Sequence, residues 1–329
     1  MSLKVNLESK NNKNEQKINN EKEKTNTISN SASYNTFNLQ NKFMVNPEHT
    51  DDFFGNYYSP PFINPEILDE KTLFSKQNIL KSFMSQKLTR YLQKSLINAS
   101  KEIINYIINE LSGTFRVIFK NKNGNYFCSN LIKVCDRENR IKILKELSNT
   151  LCDDCIDPYG TYPIQSLIEF ASGEDEFKLI LSSFNDFNKI LMISLNQHGT
   201  YVIQKIIRHI PEQQRKEFNT IFAQFVTILS RDTYGAYALE KFICFTKDDQ
   251  IQKQILNSII INFVNISTNK NGNYLIQCLL EKWWKNKKGE ALKKMIVSKY
   301  QILSKNIYSS HICDLYVKLL NNEQTKKDV

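Results

Sequence analysis

A short motif returns along this chain at a nearly fixed interval, and that period restricts the fold more than any other property. The segments KLTRYLQKSL, GNYFCSNLI, GTYPIQSLI, GTYVIQKII, GAYALEKFI, GNYLIQCLL and SSHICDLYV align on seven anchor residues: Thr89, Asn125, Thr161, Thr200, Ala236, Asn273 and Ser310. Their spacings are 36, 36, 39, 36, 37 and 37 residues. Such self-similarity marks a stacked array, in which no unit buries its apolar face alone and each leans on its neighbours. Each anchored segment is followed by a second helical stretch and then a short apolar one. Pro211, Glu212, Gln213, Gln214 and Arg215 mark the start of one second helix, with a proline suited to a first helical turn and an acid that complements the positive helix end. The 39-residue interval contains Ser172 to Glu176, a polar stretch that reads as a lengthened loop. The expected fold is all-α: a right-handed, curved α-solenoid of three-helix repeats, with almost no alternating strand pattern.

The anchored helix has two faces of different chemistry. Taking the anchor as position a, residues a+3, a+6 and a+7 are apolar in the central copies: Ile164, Leu167, Ile168; Ile203, Ile206, Ile207; Leu239, Phe242, Ile243; Ile276, Leu279, Leu280. At about 100° per residue they share one side, the core stripe. Positions a, a+1 and a+4 cluster roughly a third of a turn away. Those triplets are Thr89, Arg90, Gln93; Asn125, Tyr126, Ser129; Thr161, Tyr162, Gln165; Thr200, Tyr201, Gln204; Ala236, Tyr237, Glu240; Asn273, Tyr274, Gln277; and Ser310, His311, Asp314. Every middle member has a flat face able to stack on a base, and the third is mostly an amide that both donates and accepts. Stacked repeats would align these triplets into a ladder, which is what the unstacked bases of single-stranded RNA require. In any one copy the tyrosine could simply pack between repeats. Packing alone does not ask for a flat group at a+1 and an amide or acid at a+4 in nearly every copy.

Composition divides the chain. Residues 1 to 60 are rich in Asn, Lys, Glu and Ser and poor in Leu and Val, so they read as a disordered tail. Residues 61 to 329 form the repeat domain, with an N-terminal cap at about 61 to 85. The net charge of +10 falls wholly in that domain, which holds 37 of the 44 Lys and Arg and 27 of the 34 acids. A basic folded domain suits a polyanion, because each cation near a phosphate releases counterions. Lys205 and Lys241, directly after a+4 positions, are candidates to approach phosphates. The seven cysteines, 128, 135, 152, 155, 244, 278 and 313, are odd in number and lack disulfide spacing, which points to a reducing compartment. Cys152 and Cys155 make one CxxC, but no second pair of ligands follows at zinc spacing, so neither metal nor cofactor is expected. The N-terminus has no apolar segment of a secretory signal. The best apolar run, Ile259 to Ile266, is broken by Asn262 and Asn265, so no membrane span is expected. None of His49, His198, His209 and His311 pairs with a nucleophile motif, and no phosphate loop or metalloprotease motif is present, so an enzyme is not expected. His198, in the turn leading to Thr200, reads as structural. Trp283 and Trp284 read as packing against the next repeat.

DPYGTYPIQSLIE, NQHGTYVIQKII and KNGNYLIQCLLE resemble the repeats of the PUF (Pumilio) family, and YSSHICDLY looks like that family's Ser-Asn-x-x-Glu copy. The resemblance covers about residues 65 to 320. It implies one base per repeat, with a and a+4 on the base edge and a+1 stacking. Asn273, Tyr274 and Gln277 then look like a uracil reader, Tyr237 and Glu240 like a guanine reader, and Thr200, Tyr201 and Gln204 like a second uracil reader. Because family members bind RNA antiparallel to the chain, these copies spell 5′-UGU-3′. Thr161, Tyr162 and Gln165 suit a pyrimidine, and Thr89, Arg90 and Gln93 resemble an adenine reader. Departures are Ser129, too short for the amide's contact, Ala236 where Ser is usual, Leu88 where Gly is usual, and seven copies instead of eight. Ser310, His311 and Asp314 read a guanine or form a cap.

The implied role is post-transcriptional: binding UGU elements in mRNA 3′ untranslated regions and, with protein effectors, repressing translation or promoting decay. A cytoplasmic monomer is expected. Two alternatives remain open at this point, a nucleolar factor in ribosomal RNA processing and a protein-binding scaffold of the HEAT or armadillo kind.

Overall fold

A computed structural model describes residues 68–325. The tail at 1 to 60 and its boundary at 61 lie outside the described residues. Two short helices, Glu70–Leu73 and Lys76–Ser82, precede the first repeat. The seven anchored helices follow: α1 (Gln86–Ile97), α2 (Gly124–Val134), α3 (Thr161–Phe170), α4 (Gly199–His209), α5 (Gly235–Phe245), α6 (Gly272–Trp283) and α7 (Ser310–Thr325). Each packs against the next in chain order. Between them lie the second helices, such as Arg137–Leu147 and Asp249–Ile261, and short third helices, such as Phe115–Phe119 and Phe263–Ser267. The result is a right-handed α-solenoid, all-helical among the described residues.

One device starts most anchored helices. Four residues before the anchor, Asn121, Asp157, Asn196, Asp232, Asn269 and Asn306 each accept, through Oδ1, the N–H groups of the second and third residues after them at 2.7–3.1 Å. A short side chain bonding the backbone just ahead of it turns the chain and satisfies donors that a helix start leaves open. The glycine before the anchor then answers to crowding. A Cβ on Gly199 would lie 2.5 Å from the carbonyl oxygen of Ile193, in the preceding helix. In the last copy Ser309 stands there, fully buried, and its Oγ donates to the equivalent carbonyl, Leu303 O, at 2.8 Å.

The core follows the apolar stripe: Ile164, Leu167, Ile203, Ile206, Leu239, Phe242, Ile276 and Leu279 are all buried. Burying such a side chain stabilises by about 1.5–3 kcal/mol. Polar ties join neighbouring repeats at the same period. Arg140 Nε donates to Glu176 Oε1 at 2.8 Å with both side chains buried, and Lys120 Nζ meets the buried Asp154 at 2.7 Å.

Three expectations change. Ser172 to Glu176 is no lengthened loop: the helix Glu174–Ser182 begins there, and Glu176 Oε2 accepts from the backbone of Ser172 and Gly173. The extra length falls after it, in the link to Phe187–Leu195, which is longer than the other third helices. Pro211 opens a turn closed by Gln214 N, and the second helix starts only at Lys216. Arg215, buried, donates instead to Ile210 O and Asn219 Oδ1, while Glu212 accepts from the backbone of Lys247 and Asp248 in the next repeat. Finally, the sixth repeat has two helices, because its second, Lys287–Leu303, runs 17 residues and leads by a loop to α7.

Candidate functional site

The a+1 side chains stand out from the surface. Tyr126, Tyr162, Tyr201, Tyr237 and Tyr274 are between 49% and 68% exposed, and Arg90 and His311 are exposed as well. Because α1 to α7 pack in succession, these groups line one wall. Large aromatic surface left open in register, copy after copy, is a binding surface. Tyr126 and Tyr162 already stack on each other, with centroids 6.2 Å apart and planes 25° from parallel.

The anchors sit beneath that wall. Thr89, Asn125, Thr161, Thr200 and Asn273 are at most 2% exposed. The helical wheel explains it: seven residues turn through nearly two full circles, so the anchor lies only about 20° from a+7 and at the edge of the core stripe. Their polar atoms are engaged. Thr161 Oγ1 donates to His198 O at 3.3 Å and Thr200 Oγ1 to Tyr234 O at 3.0 Å, both in the next repeat's turn. Asn273 Nδ2 donates to Asn269 O and Lys270 O, and Thr89 Oγ1 to Ser82 O.

The a+4 groups are half-buried and rest on the anchors. Gln165 Nε2 donates to Thr161 Oγ1 at 3.1 Å, Gln204 Nε2 to Thr200 Oγ1 at 3.5 Å, and Gln277 Nε2 to Asn273 Oδ1 at 2.9 Å. Each anchor thereby orients the amide above it and holds one N–H inward, which leaves the amide oxygen and a second N–H for a ligand. Gln93 is half-buried above Thr89. Ser129 departs as its length dictates: its hydroxyl donates to Asn125 O, and the buried Asn125 Oδ1 accepts no hydrogen bond.

The fifth repeat differs again. Ala236 offers no side-chain partner, so among the described residues Glu240 is met by Lys241 Nζ, at 3.3 Å. Tyr237, Glu240 and Ala236 from α5, Tyr274 and Leu275 from α6, and Thr233 and Asn271 from the turns before these helices line a cleft of about 410 Å³. Cleft, carboxylate and paired aromatics make a slot for a flat ligand bearing hydrogen-bond donors. In the last copy Ser310 is half-buried, while His311 and Asp314 are exposed.

Other candidates resolve into structure. Lys205 spends its charge on Glu169, whose carboxyl is lowered first by that hydrogen bond. Cys152 and Cys155 are buried and donate to Ser183 O and Leu151 O, and burial pushes the Cys152 thiol up to about 12. His198 donates its backbone N–H to Asn196 and accepts from Thr161 through its carbonyl. Trp283 and Trp284 are buried; Trp284 packs edge-on against Tyr316 of α7, with Lys293 Nζ 4.1 Å over its ring. No helix among the described residues is long and apolar enough to cross a membrane. Sequence reasoning missed Thr233 and Asn271, which also line the cleft. Their only signal was position, in the turn before the anchor.

The comparisons agree with this geometry. The sequence pattern described as the Pumilio-family RNA binding repeat matches residues 89–112, 120–148, 155–181, 189–217, 226–260 and 262–283, one match for each of the first six copies. Pumilio homolog 12 of Arabidopsis thaliana is 24% identical over 238 residues, covering 71% of this chain and 39% of that protein. Pumilio homolog 11 of the same plant is 27% identical over 185 residues, covering 55% and 31%. The chain thus spans well under half the length of these relatives. Among solved structures, the RNA-binding domain of yeast Puf5p bound to AAT2 RNA superposes with a TM-score of 0.69 at 20% identity, covering 79% of this chain and 73% of that one. The Puf4 RNA-binding domain bound to an HO endonuclease RNA 3′ UTR recognition sequence gives 0.66 at 19%, covering 72% of each. Six matched repeats, in a solenoid of the same shape, place the chain in the Pumilio (PUF) family of repeat proteins.

Proposed function

We propose that this domain binds single-stranded RNA sequence-specifically along the α1 to α7 wall and so regulates mRNA after transcription. The observation that carries the reading is the row of five exposed tyrosines, each beside a hydrogen-bonding group at a+4. Bases stack on Tyr126, Tyr162, Tyr201, Tyr237 and Tyr274, and on Arg90 and His311 at the ends. Base edges meet the a+4 members, with the anchors beneath them. Asn273 with Gln277 and Thr200 with Gln204 each present an acceptor beside a donor, as uracil requires, and Glu240 presents two acceptors to guanine's N–H groups. Read antiparallel, α6, α5 and α4 select 5′-UGU-3′. The targets are 3′ untranslated regions, and the outcome is translational repression or decay through protein effectors in the cytoplasm. The slot between α5 and α6 favours this over a protein-binding scaffold, because an acid flanked by two open aromatics suits a base. Fluorescence anisotropy with a labelled UGU-containing RNA tests it: tight binding, lost when the G is changed, is expected, and equal binding to both RNAs overturns it.

A further inference from the structure

Of the seven cysteines, five are buried and two are not: Cys244, exposed on α5, and Cys278, half-buried on α6. They belong to neighbouring repeats and occupy positions a+8 and a+5. That register brings side chains together elsewhere in this solenoid, since Glu169 at a+8 of α3 bonds Lys205 at a+5 of α4. Lys282 Nζ, donating to Ile243 O, holds α6 against α5 at the same level. Burial first, and then the neighbouring Cys244 and Glu240, push the Cys278 thiol up to about 11. Cys278 also directly follows Gln277, while Cys244 lies one turn beyond Glu240. We propose that Cys244 and Cys278 form a peroxide-responsive disulfide that staples α5 to α6 and weakens RNA binding at the slot between them.

The chemistry balances with hydrogen peroxide as oxidant. Cys244, the accessible partner, gives up its thiol proton and its sulfur attacks one peroxide oxygen; the O–O bond breaks, hydroxide leaves and takes up that proton to become water, and Cys244 becomes a sulfenic acid. Cys278 sulfur then attacks Cys244 sulfur and displaces hydroxide, which takes up the Cys278 proton and leaves as a second water. Two thiols lose two electrons and one peroxide gains them. Transient sensing disulfides of this kind are the sort found in reducing compartments. The staple fixes the spacing of α5 and α6, and with it the slot that Tyr237, Glu240 and Tyr274 line.

The gating half rests on the RNA-binding reading above, so the test separates the two. The full chain is treated with hydrogen peroxide, its free thiols are alkylated, and peptides are mapped by mass spectrometry. A Cys244–Cys278 cross-link is expected, reversed by dithiothreitol and absent in Cys244→Ser and Cys278→Ser. Oxidised protein should bind the UGU RNA at least about fivefold more weakly, a typical coupling between sites, with no such change in Cys244→Ser. Persistence of both thiols, a sulfinic acid at Cys244 without the cross-link, or a cross-link that leaves affinity unchanged overturns the proposal. Failure of the reduced protein to bind RNA overturns the functional reading instead, and leaves the thiol mapping to stand by its own result.

Discussion

Replacing Glu240 by Gln changes one oxygen for one amide and should move base preference at a single position. Glu240 is half-buried, its side-chain partner among the described residues is Lys241 at 3.3 Å, and Ala236 beneath it supplies none. Lys241 engages Oε1 at 3.3 Å and leaves that oxygen a second lone pair, so the carboxylate can still face the two parallel N–H donors of guanine. Hydrogen bonds to a charged group contribute about 1.5–3 kcal/mol each, and a bidentate base contact discriminates by about 1–3 kcal/mol. Partial exposure of the side chain puts this site near the middle of that range. A Gln accepts one guanine N–H but turns its own donor toward the other. A loss of about 2 kcal/mol, roughly 30-fold in affinity at 1.4 kcal/mol per tenfold, is expected for UGU RNA. Uracil, which needs a donor beside an acceptor, should gain at that position. Titration of four RNAs differing only at the central base, by anisotropy, measures the whole change, and thermal unfolding monitors the fold, which should be unaltered. An unchanged preference for G would refute the assignment, and a uniform loss across all four bases would show that Glu240 shapes the wall without reading it.

Tyr201→Ala removes a side chain that is 56% exposed, so stability should hold while affinity falls by about 1–3 kcal/mol; unaltered binding in the anisotropy titration would count against contact there. Glu176→Ala strands Arg140, whose side chain is 9% exposed, and should cost about 3–5 kcal/mol in urea unfolding, much of it regained when Arg140→Met is added. A change in urea midpoint too small to resolve would mean the pair is not shielded from water. Asp249, between Lys253 and Lys288, is held down to about 2, first by its hydrogen bond to Lys253. A depressed carboxyl stabilises above its unfolded value of 3.8 and loses that contribution as pH falls toward about 2. The stability difference between wild type and Asp249→Asn should therefore be constant near neutrality and vanish across that acid window. A difference that persists below it would contradict the linkage.

The period of the anchors made the solenoid legible, and the alternation of apolar and polar positions made the core and the tyrosine wall legible. Three things were not. The anchors were read as part of the open face, whereas Thr161, Thr200 and Asn273 lie almost at the angle of a+7 and are buried; what they bond, the next repeat's turn and the amide above, is set by stacking that no single helix encodes. Helix boundaries at Ser172 to Glu176 and at Pro211 also went the other way. At Glu176 a local cap on the backbone of Ser172 and Gly173 is reinforced by Arg140 of the preceding repeat, and at Glu212 the partner is the backbone of Lys247 in the next. The cysteine pair was invisible because 34 residues separate its members in sequence and only stacking sets them on neighbouring helices.

Ring resonances of labelled tyrosine, followed by NMR as UGU RNA is added, test the tyrosine wall most directly. Bases stacked on the rings should shift Tyr201, Tyr237 and Tyr274 upfield, with Tyr126 and Tyr162 parting as a base enters, while Tyr300, exposed on the helix Lys287–Leu303, stays in place. A shift at Tyr300 with the wall tyrosines unmoved would contradict the account.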